Sequence, residues 1–430
     1  MTKAAFGLCL TVVIAAAGLT AVSGLSQAAG ASTNCGTAYV TNTGSNSVST
    51  IDVATRTKNP TDIPVGNHPP GVAITPDGTT AFVTNQFSDS VSTIDVATRT
   101  KNPTDIPVDF GLVGVAITPD GKTAYVTNAS SDVVSTIDVA SRTKNPTDIP
   151  VGPQSQGVAI TPDGTTAFVT NGGFPGSVST IDVATRTKNP TDIPVGNLPE
   201  RVAITPDGTT AFVTNQFSDS VSTIDVATRT KNPTDILVGA GPVGVAITPD
   251  GTTAYVVNQG SNSVSTIDVA TRTKSPTDIP VGAQPVGVAI TPDGTTAYVT
   301  NQGSNSVSTI DVATRTKNPT DIPAATNPFA VAIAPCQLKA AVQPDGRTLI
   351  ITGSAFTPSA TLTLSIASTP QTLGTATTNS TGTFSQSFTV PCGVDAGAHT
   401  ITATGPNGSS ATATVTLGPC AVVLQPRFTG

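Results

Sequence analysis

The stretch VAITPDGTTAFVTNQFSDSVSTIDVATRTKNPTDIPV, residues 72–108, decides the fold of this 430-residue chain. It contains four short runs rich in Val, Ile and Thr, which favour β-strands. Turn chemistry separates them: Asp-Gly after the first run, a short loop of small polar residues after the second, and an Arg-x-Lys-Asn-Pro bend after the third. The pattern predicts one antiparallel unit whose first three strands are 72–74, 81–85 and 91–96 and whose fourth is 103–108.

The unit recurs with a spacing of 43 residues and a single spacing of 44. Four strands in about 40–50 residues is the blade length of a β-propeller, and it is too long for one rung of a β-helix. Seven copies of a four-residue signature in the second strand mark the repeat: Tyr39–Asn42, Phe82–Asn85, Tyr125–Asn128, Phe168–Asn171, Phe212–Asn215, Tyr255–Asn258 and Tyr298–Asn301.

The two ends of the array predict how it closes. The first copy lacks a first strand, and the missing strand follows the last copy as residues 331–335. A ring gains from this offset because a blade built from both ends locks the circle and removes exposed sheet edges. The sequence therefore predicts a seven-bladed, all-β propeller with one shared blade.

Cysteines occupy the cut hairpin of that shared blade. Cys336 takes the Asp position of the turn, and Cys35 takes the Gly position, four residues before Tyr39. Their Cα atoms are expected within bridging distance. We therefore predict a Cys35–Cys336 disulfide, against the alternative of unpaired thiols.

The N-terminus and the composition restrict the protein's location and partners. Lys3, an apolar run to about Val22 and the small residues 28–31 indicate a secretory signal peptide, the alternative being an uncleaved membrane anchor. A net charge of -7 provides no positive field for phosphates, so nucleic acid is not an expected partner. We expect no membrane span after signal cleavage, and a secreted or cell-surface protein.

The repeats resemble the YVTN β-propeller family, found in secreted and surface-layer proteins and related to seven-bladed lactonase-like propellers. The resemblance covers residues 35–336; Tyr255-Val256-Val257-Asn258 departs from the signature by one residue, and three copies carry Phe in the Tyr position. It implies a secreted propeller, with an enzymatic funnel in the lactonase-like relatives. The predicted domains are a signal peptide (1–31), the propeller (32–336), a second domain (337–420) and a tail (421–430).

The second domain differs from the repeats in texture. Six Thr, Ser and Ala-rich runs alternate in polarity: 348–352, 360–368, 373–379, 383–390, 399–405 and 411–417. They predict six or seven strands and look like an immunoglobulin-like bacterial surface domain. Residues after Val390 and Leu417 are expected at one end of this sandwich, which favours a Cys392–Cys420 disulfide among the three possible connectivities.

Differences between the repeats concentrate in two sets of loops. The second-to-third and fourth-to-first loops share one face of a propeller, here named the variable-loop face. Variable loops on a rigid scaffold commonly carry recognition, although drift alone would also produce them. The candidate ligand-binding residues, on this face or around the central funnel, are His68, Phe87, Asp109, Phe110, Phe174, Glu200, Arg201, Phe217 and Phe329.

The inventory of catalytic residues is small. The mature chain has two histidines, His68 and His399, and one glutamate, Glu200, so a catalytic triad or a histidine metal site is not indicated. Only His68, Glu200 and Arg201 could serve the funnel of a lactonase-like enzyme. The sequence favours a scaffold that binds an extracellular glycan or protein, without cofactor or metal, and leaves a secreted hydrolase or lyase as the alternative. A calcium site using Asp89, Asp132 or Asp219 is conceivable, but no ligand spacing supports it.

Overall fold

The computed structural model describes residues 36–343, 345–357, 359–367, 371–379, 382–405 and 410–419. The chain divides into two compact units, one spanning Thr37–Ala334 and one beginning at Pro335. Regular structure in the described ranges is β-strand, apart from a 3-10 helix at Gln216–Ser218. No helix in these ranges has the length and apolar character needed to cross a membrane.

Seven antiparallel sheets form the first unit, as the repeat predicts. The innermost strands are β5 (Gly71–Ile74), β10 (Leu112–Ile117), β15 (Ser155–Ile160), β20 (Pro199–Ile204), β25 (Pro242–Ile247), β30 (Pro285–Ile290) and β35 (Pro328–Ala334). The second strands are β1 (Thr37–Asn42), β6 (Thr80–Asn85), β11 (Thr123–Asn128), β16 (Thr166–Asn171), β21 (Thr210–Asn215), β26 (Thr253–Asn258) and β31 (Thr296–Asn301). The third strands are β2 (Ser47–Asp52), β7 (Ser90–Asp95), β12 (Val133–Asp138), β17 (Ser177–Asp182), β22 (Ser220–Asp225), β27 (Ser263–Asp268) and β32 (Ser306–Asp311).

The outer edge of each blade differs from the prediction, because the fourth strand is not continuous. Two short pieces pair with opposite ends of the third strand; in the second blade Lys101 pairs with Ile94, and Ile106 pairs with Val91. Proline lacks the N–H that a ladder requires, so the Asn-Pro-Thr-Asp segment between the pieces leaves the sheet. The pieces are β3 (Thr57–Lys58), β4 (Ile63–Pro64), β8 (Thr100–Lys101), β9 (Ile106–Pro107), β13 (Thr143–Lys144), β14 (Ile149–Pro150), β18 (Thr187–Lys188), β19 (Ile193–Pro194), β23 (Thr230–Lys231), β24 (Ile236–Leu237), β28 (Thr273–Lys274), β29 (Ile279–Pro280), β33 (Thr316–Lys317) and β34 (Ile322–Pro323).

Blade 1 closes the ring and confirms the shared-blade prediction. Strand β35 pairs antiparallel with β1, and Ala334 lies opposite Thr37. The hydroxyl of Tyr298 in blade 7 donates a hydrogen bond to the carbonyl of Val53 in blade 1, at 3.3 Å. Blades 2 to 7 follow in chain order, each beginning at its innermost strand. The circle is therefore held by main-chain pairing and by packing between its first and last blades.

The signature residues connect strands and blades. In blade 1 the buried Asn42 amide donates to the hydroxyl of Ser49 at 3.0 Å, and that hydroxyl donates to Asp62 at 2.7 Å. Lys58 forms a 2.7 Å ion pair with the same carboxylate. These side chains take over from the missing main-chain hydrogen bonds where the outer strand is interrupted. The Asn of the signature is therefore buried for a structural reason.

The described residues of the second unit form seven strands in two sheets, of order β36-β37-β40 and β39-β38-β41-β42. They are β36 (Gln337–Val342), β37 (Thr348–Ser354), β38 (Thr361–Ala367), β39 (Gln371–Thr377), β40 (Phe384–Thr389), β41 (Gly397–Thr404) and β42 (Ser410–Leu417). Their buried side chains, including Leu349, Leu364 and Ile401, form one apolar core. Sequence reasoning listed six of these strands and omitted β36, whose Leu338 enters the core.

Candidate functional site

The innermost strands place one residue of each blade at corresponding positions around the propeller axis, here named the axial ring. Successive innermost strands contact one another around the whole circle, including β35 with β5. Val243, Val286 and Phe329 pack together as a small buried cluster. The ring consists of Pro70, Val113, Gln156, Glu200, Val243, Val286 and Phe329. Blades 4 and 5 therefore contribute the polar members of an otherwise apolar ring.

The position after the ring residue normally carries a small residue, because the next blade lies close to it. A Cβ atom built on Gly157 would lie 2.8 Å from the Glu200 carbonyl oxygen. Blade 5 alone has a long side chain here, Arg201, where other blades have Gly or Ala. Blade 5 thus differs from the repeat at two consecutive positions, Glu200 and Arg201.

Hydrogen bonds from signature threonines hold the backbone of this pair. The Thr170 hydroxyl donates to the carbonyl of Glu200 at 2.9 Å, and the N–H of Arg201 donates to the Thr214 hydroxyl at 3.1 Å. Arg201 Nη1 also donates to the Glu200 carbonyl at 2.8 Å and lies 3.9 Å from Glu200 Oε2. Two neighbouring blades therefore fix the pair from both sides.

Both charged side chains are removed from solvent, with relative exposures of 1% for Glu200 and 0% for Arg201. Within the described part of the chain, neither carboxylate oxygen of Glu200 has a hydrogen-bond partner, and nor do Nε and Nη2 of Arg201. The same holds for Oε1 of Gln156 in the adjacent blade. Each such buried polar atom costs about 1–3 kcal/mol, and charged ones cost more. The cluster therefore holds hydrogen-bonding capacity that the described residues leave unused.

Burial also changes the protonation of the pair. Burial raises the pKa of Glu200 to about 7, against the opposing charge of Arg201. Burial likewise lowers the pKa of Arg201, against the charge of Glu200. A carboxyl group that titrates near neutral pH can both accept and donate a proton under physiological conditions. Glu200 therefore has the electrostatic character of a general acid or base.

His68, the third predicted funnel residue, belongs to a different blade from Glu200 and Arg201. Its ring stacks on Phe87 at a centroid distance of 4.5 Å and lies 6.5 Å from the ring of Phe329. Burial lowers the pKa of His68. His68 precedes the innermost strand of blade 2, whereas Glu200 and Arg201 belong to blade 5. The structure therefore brings Glu200 and Arg201 together and groups His68 with two aromatic rings.

The remaining predicted residues, apart from Phe329, lie on the variable-loop face. Phe87, Phe110, Phe174 and Phe217 are 59–69% exposed, and the rings of Phe174 and Phe217 lie 5.7 Å apart. Phe329 is fully buried in the axial ring instead of being presented to solvent. A hydrogen bond with Asp148 raises the pKa of Asp109. The face thus exposes four aromatic rings on loops from four different regions of the sequence.

These loops share one backbone design. The residue at the tip of each fourth-to-first loop has a positive φ, including His68, Gln154, Leu198 and Gln284. An Asn or Asp of the preceding blade commonly accepts its N–H, as Asp132 does for Gln154 and Asn262 for Gln284, both at 2.7 Å. Side chains of different chemistry are therefore displayed from nearly the same rigid backbone.

Three expectations concern metals and disulfides. No group of three or more His, Cys, Asp or Glu side chains within the described ranges is arranged to hold a metal. Asp132 and Asp219, considered for calcium, accept N–H groups of Gln154 and Gly241. Cys35 and Cys420 lie outside the described residues, so the pairings Cys35–Cys336 and Cys392–Cys420 stay predictions.

The candidate site residues predicted from the sequence do not include Gln156. Alignment of the seven repeats contains the signal, because Gln156 stands where the other ring positions carry Val, Pro, Phe or Glu. Its burial and its unpartnered Oε1 required the structure.

Comparisons with known proteins support the propeller fold. A family model for the lactonase type of seven-bladed β-propeller matches residues 232–333. Among solved structures, Kuenenia stuttgartiensis hydrazine synthase is 25% identical with a TM-score of 0.55, covering 66% of this chain and 92% of its own. A functionally unknown protein from Desulfotomaculum acetoxidans (17% identical) and a candidate 6-phosphogluconolactonase from Bacteroides uniformis (16%) each have a TM-score of 0.61 and cover 70% of this chain and 99% of their own. No curated protein matches the chain. These matches support a seven-bladed β-propeller fold for the first unit.

Proposed function

We propose that the propeller is a lactonase-like hydrolase whose reacting groups are Glu200 and Arg201. This proposal rests on the buried carboxyl group of Glu200 and guanidinium group of Arg201. Both have unpartnered polar atoms, and the pair occurs in one of seven similar blades. The lactonase propeller match and the likeness to a candidate 6-phosphogluconolactonase support a hydrolase over a purely adhesive role.

The chemistry assigned to the pair is addition of water to a lactone. Glu200 removes a proton from water as the water oxygen bonds to the carbonyl carbon, and Arg201 stabilises the oxyanion. The ring C–O bond then breaks, and Glu200 returns the proton to the departing alkoxide. The product is the hydroxy acid, and Glu200 ends the cycle ionised.

The test measures hydrolysis of a panel of five- and six-membered sugar lactones by the full chain between pH 5 and 9. Activity should rise through a pKa near 7, because only ionised Glu200 is a base. Glu200→Gln should lower kcat at least 100-fold, consistent with the usual contribution of a general base. Gln already occupies the axial ring in blade 4, so this variant is expected to fold.

The matched control is Lys122→Thr. Lys122 lies in a hairpin turn between first and second strands, on the face opposite the variable-loop face, and the other complete hairpin turns carry Thr at this position. This variant should leave the activity unchanged. A wild-type protein that hydrolyses none of the lactones, or a Glu200→Gln variant with full activity, would overturn the proposed hydrolase.

A second function, binding of an extracellular glycan or protein, is favoured by the four exposed phenylalanines of the variable-loop face. Exposed aromatic rings clustered on one face mark interaction sites. The test is a binding screen of oligosaccharides and matrix proteins. Failure of every ligand in the screen would remove this function.

The finer assignments also belong to this proposal: a YVTN-type, exported protein whose second unit is an immunoglobulin-like surface module. Thr37 lies opposite Ala334, so Cys336 follows the strand that pairs with the strand beginning two residues after Cys35, which supports the first disulfide. A non-reducing peptide map of the secreted protein should contain the linked pairs 35–336 and 392–420. Other linkages would contradict them.

A further inference from the structure

A groove of about 420 Å³ crosses the variable-loop face over blades 5 to 7. It is lined by Gln216, Phe217, Gly241, Gln259, Gly260, Asn262 and Gln284. Four of its side chains are amides and one is an aromatic ring that is 59% exposed. This volume is within the usual range of small-molecule sites.

The walls of the groove are fixed before any ligand arrives. The N–H of Gly241 donates to Asp219 and that of Gln284 donates to Asn262, each at 2.7 Å. Gln216 Nε2 donates to Gln259 Oε1 at 3.3 Å. Gln216 Oε1 is buried and, among the residues that the structure describes, has no hydrogen-bond partner. A groove whose walls are already held in place loses little conformational entropy when a ligand binds.

The charge of this face excludes anionic ligands. No Lys or Arg occurs in its second-to-third or fourth-to-first loops, whereas Asp89, Asp109, Asp132 and Asp219 do. The repeated Arg and Lys residues of the propeller lie in the third-to-fourth turns, at the opposite face. An anionic polymer would therefore meet carboxylates without any compensating cation.

We infer that this groove binds a neutral sugar residue of an oligosaccharide, stacked on Phe217 and hydrogen-bonded by the surrounding amides. The C–H face of a sugar ring carries a partial positive charge and packs on the electron-rich face of an aromatic ring. Amide side chains both donate and accept, which matches hydroxyl groups. The inference rests on the second proposed function and is independent of the hydrolase.

Blade 2 provides an internal control, because its loop Gln86–Ser90 has the same sequence as Gln216–Ser220. The ring of Phe87 is stacked on His68. The positions that correspond to Gln259, Gly260 and Asn262 are Ala129, Ser130 and Asp132, so two amides of the groove are absent. The same loop thus stands beside a complete groove in blade 5 and beside a poorer one in blade 2.

The experiment measures binding of neutral hexasaccharides of glucose, mannose and galactose to the full chain by titration calorimetry, with oligogalacturonate as the anionic probe. At least one neutral hexasaccharide should bind, with an affinity that changes little between 50 and 500 mM salt. Phe217→Ala should weaken it at least tenfold and Gln259→Ala, which copies blade 3, should weaken it several-fold. Phe87→Ala should change it less than twofold.

Equal losses for Phe87→Ala and Phe217→Ala, or tighter binding of oligogalacturonate, would overturn the groove assignment. Binding of a matrix protein without any saccharide would overturn the sugar inference and retain the second proposed function. Binding of neither class would reject both. The variant Glu200→Val/Arg201→Gly should keep full sugar affinity, which separates this site from the axial pair.

Discussion

Blades 5 and 6 have the same backbone and different axial residues. Their inner strands pair in the same register, with Val202 opposite Val213 in one and Val245 opposite Val256 in the other. Blade 6 carries Val243 and Gly244 where blade 5 carries Glu200 and Arg201. The charged pair is therefore unnecessary for a blade to fold.

The pair is also costly compared with its neighbour. Buried ion pairs commonly contribute less stability than well-packed apolar residues of similar volume, because desolvation of two charges offsets their attraction. Blade 6 pays no such penalty, since Val243 packs against Val286 and Phe329. This difference in stability can be measured by exchanging residues between the two blades.

The largest effect is expected when only one charge is removed. Arg201→Gly should lower the free energy of unfolding by about 3–5 kcal/mol above pH 8, because it leaves the Glu200 carboxylate buried without a counter-ion. Urea unfolding monitored by circular dichroism measures the change. Lys122→Thr serves as the surface control, and an equal loss in that variant would contradict the mechanism.

The pH dependence of stability should report on Glu200. Its pKa is raised from 4.5 to about 7 in the folded protein, so the unfolded chain loses the proton first. Stability is therefore fully present below pH 4.5 and falls as the pH rises through 7. Relative to Glu200→Gln, the wild type should lose up to about 3 kcal/mol across this window. A flat difference in urea midpoints from pH 4 to 8 would refute the raised pKa.

Conversion of these two positions of blade 5 to the residues of blade 6 should measure the effect of the charged pair on stability. Glu200→Val/Arg201→Gly removes both charges and should leave the propeller more stable than Arg201→Gly does, because no unpaired charge stays buried, while abolishing any lactone hydrolysis. Calorimetric melting of both variants and the wild type at pH 7.5 measures these stabilities. A double variant that melts well below the wild type would mean that the pair is structural.

The smallest effect concerns the threonine that holds the pair. Thr170→Val copies Val257, the residue of blade 6, and removes the 2.9 Å hydrogen bond to the Glu200 carbonyl. The expected loss is about 1 kcal/mol, typical of one hydrogen bond. The reverse change, Val257→Thr, should recover a similar amount by holding the Val286 carbonyl. Chemical denaturation of both variants tests the pair of predictions.

Much of the fold was predictable from the repeat, and the candidate site was predictable only in part. Periodicity and turn residues located the first three strands of every blade and the shared blade. The fourth strand was predicted too long, because its Asn-Pro-Thr-Asp segment exchanges main-chain pairing for side-chain hydrogen bonds such as Ser49 to Asp62. Glu200 and Arg201 are adjacent in the sequence. The placement of Gln156 in the blade next to them, and of His68 beside Phe87 and Phe329, depends on which blades are neighbours.

The sequence alone determined that seven β units form a closed propeller, because local β propensity and a constant repeat length act within about 43 residues. Tertiary structure decided which polar groups are buried and which aromatic rings stay exposed to solvent. Phe329 is buried and Phe217 is exposed although both lie near the same face. Burial depends on contacts between blades distant in sequence, and those contacts set the pKa of Glu200 and shape the groove.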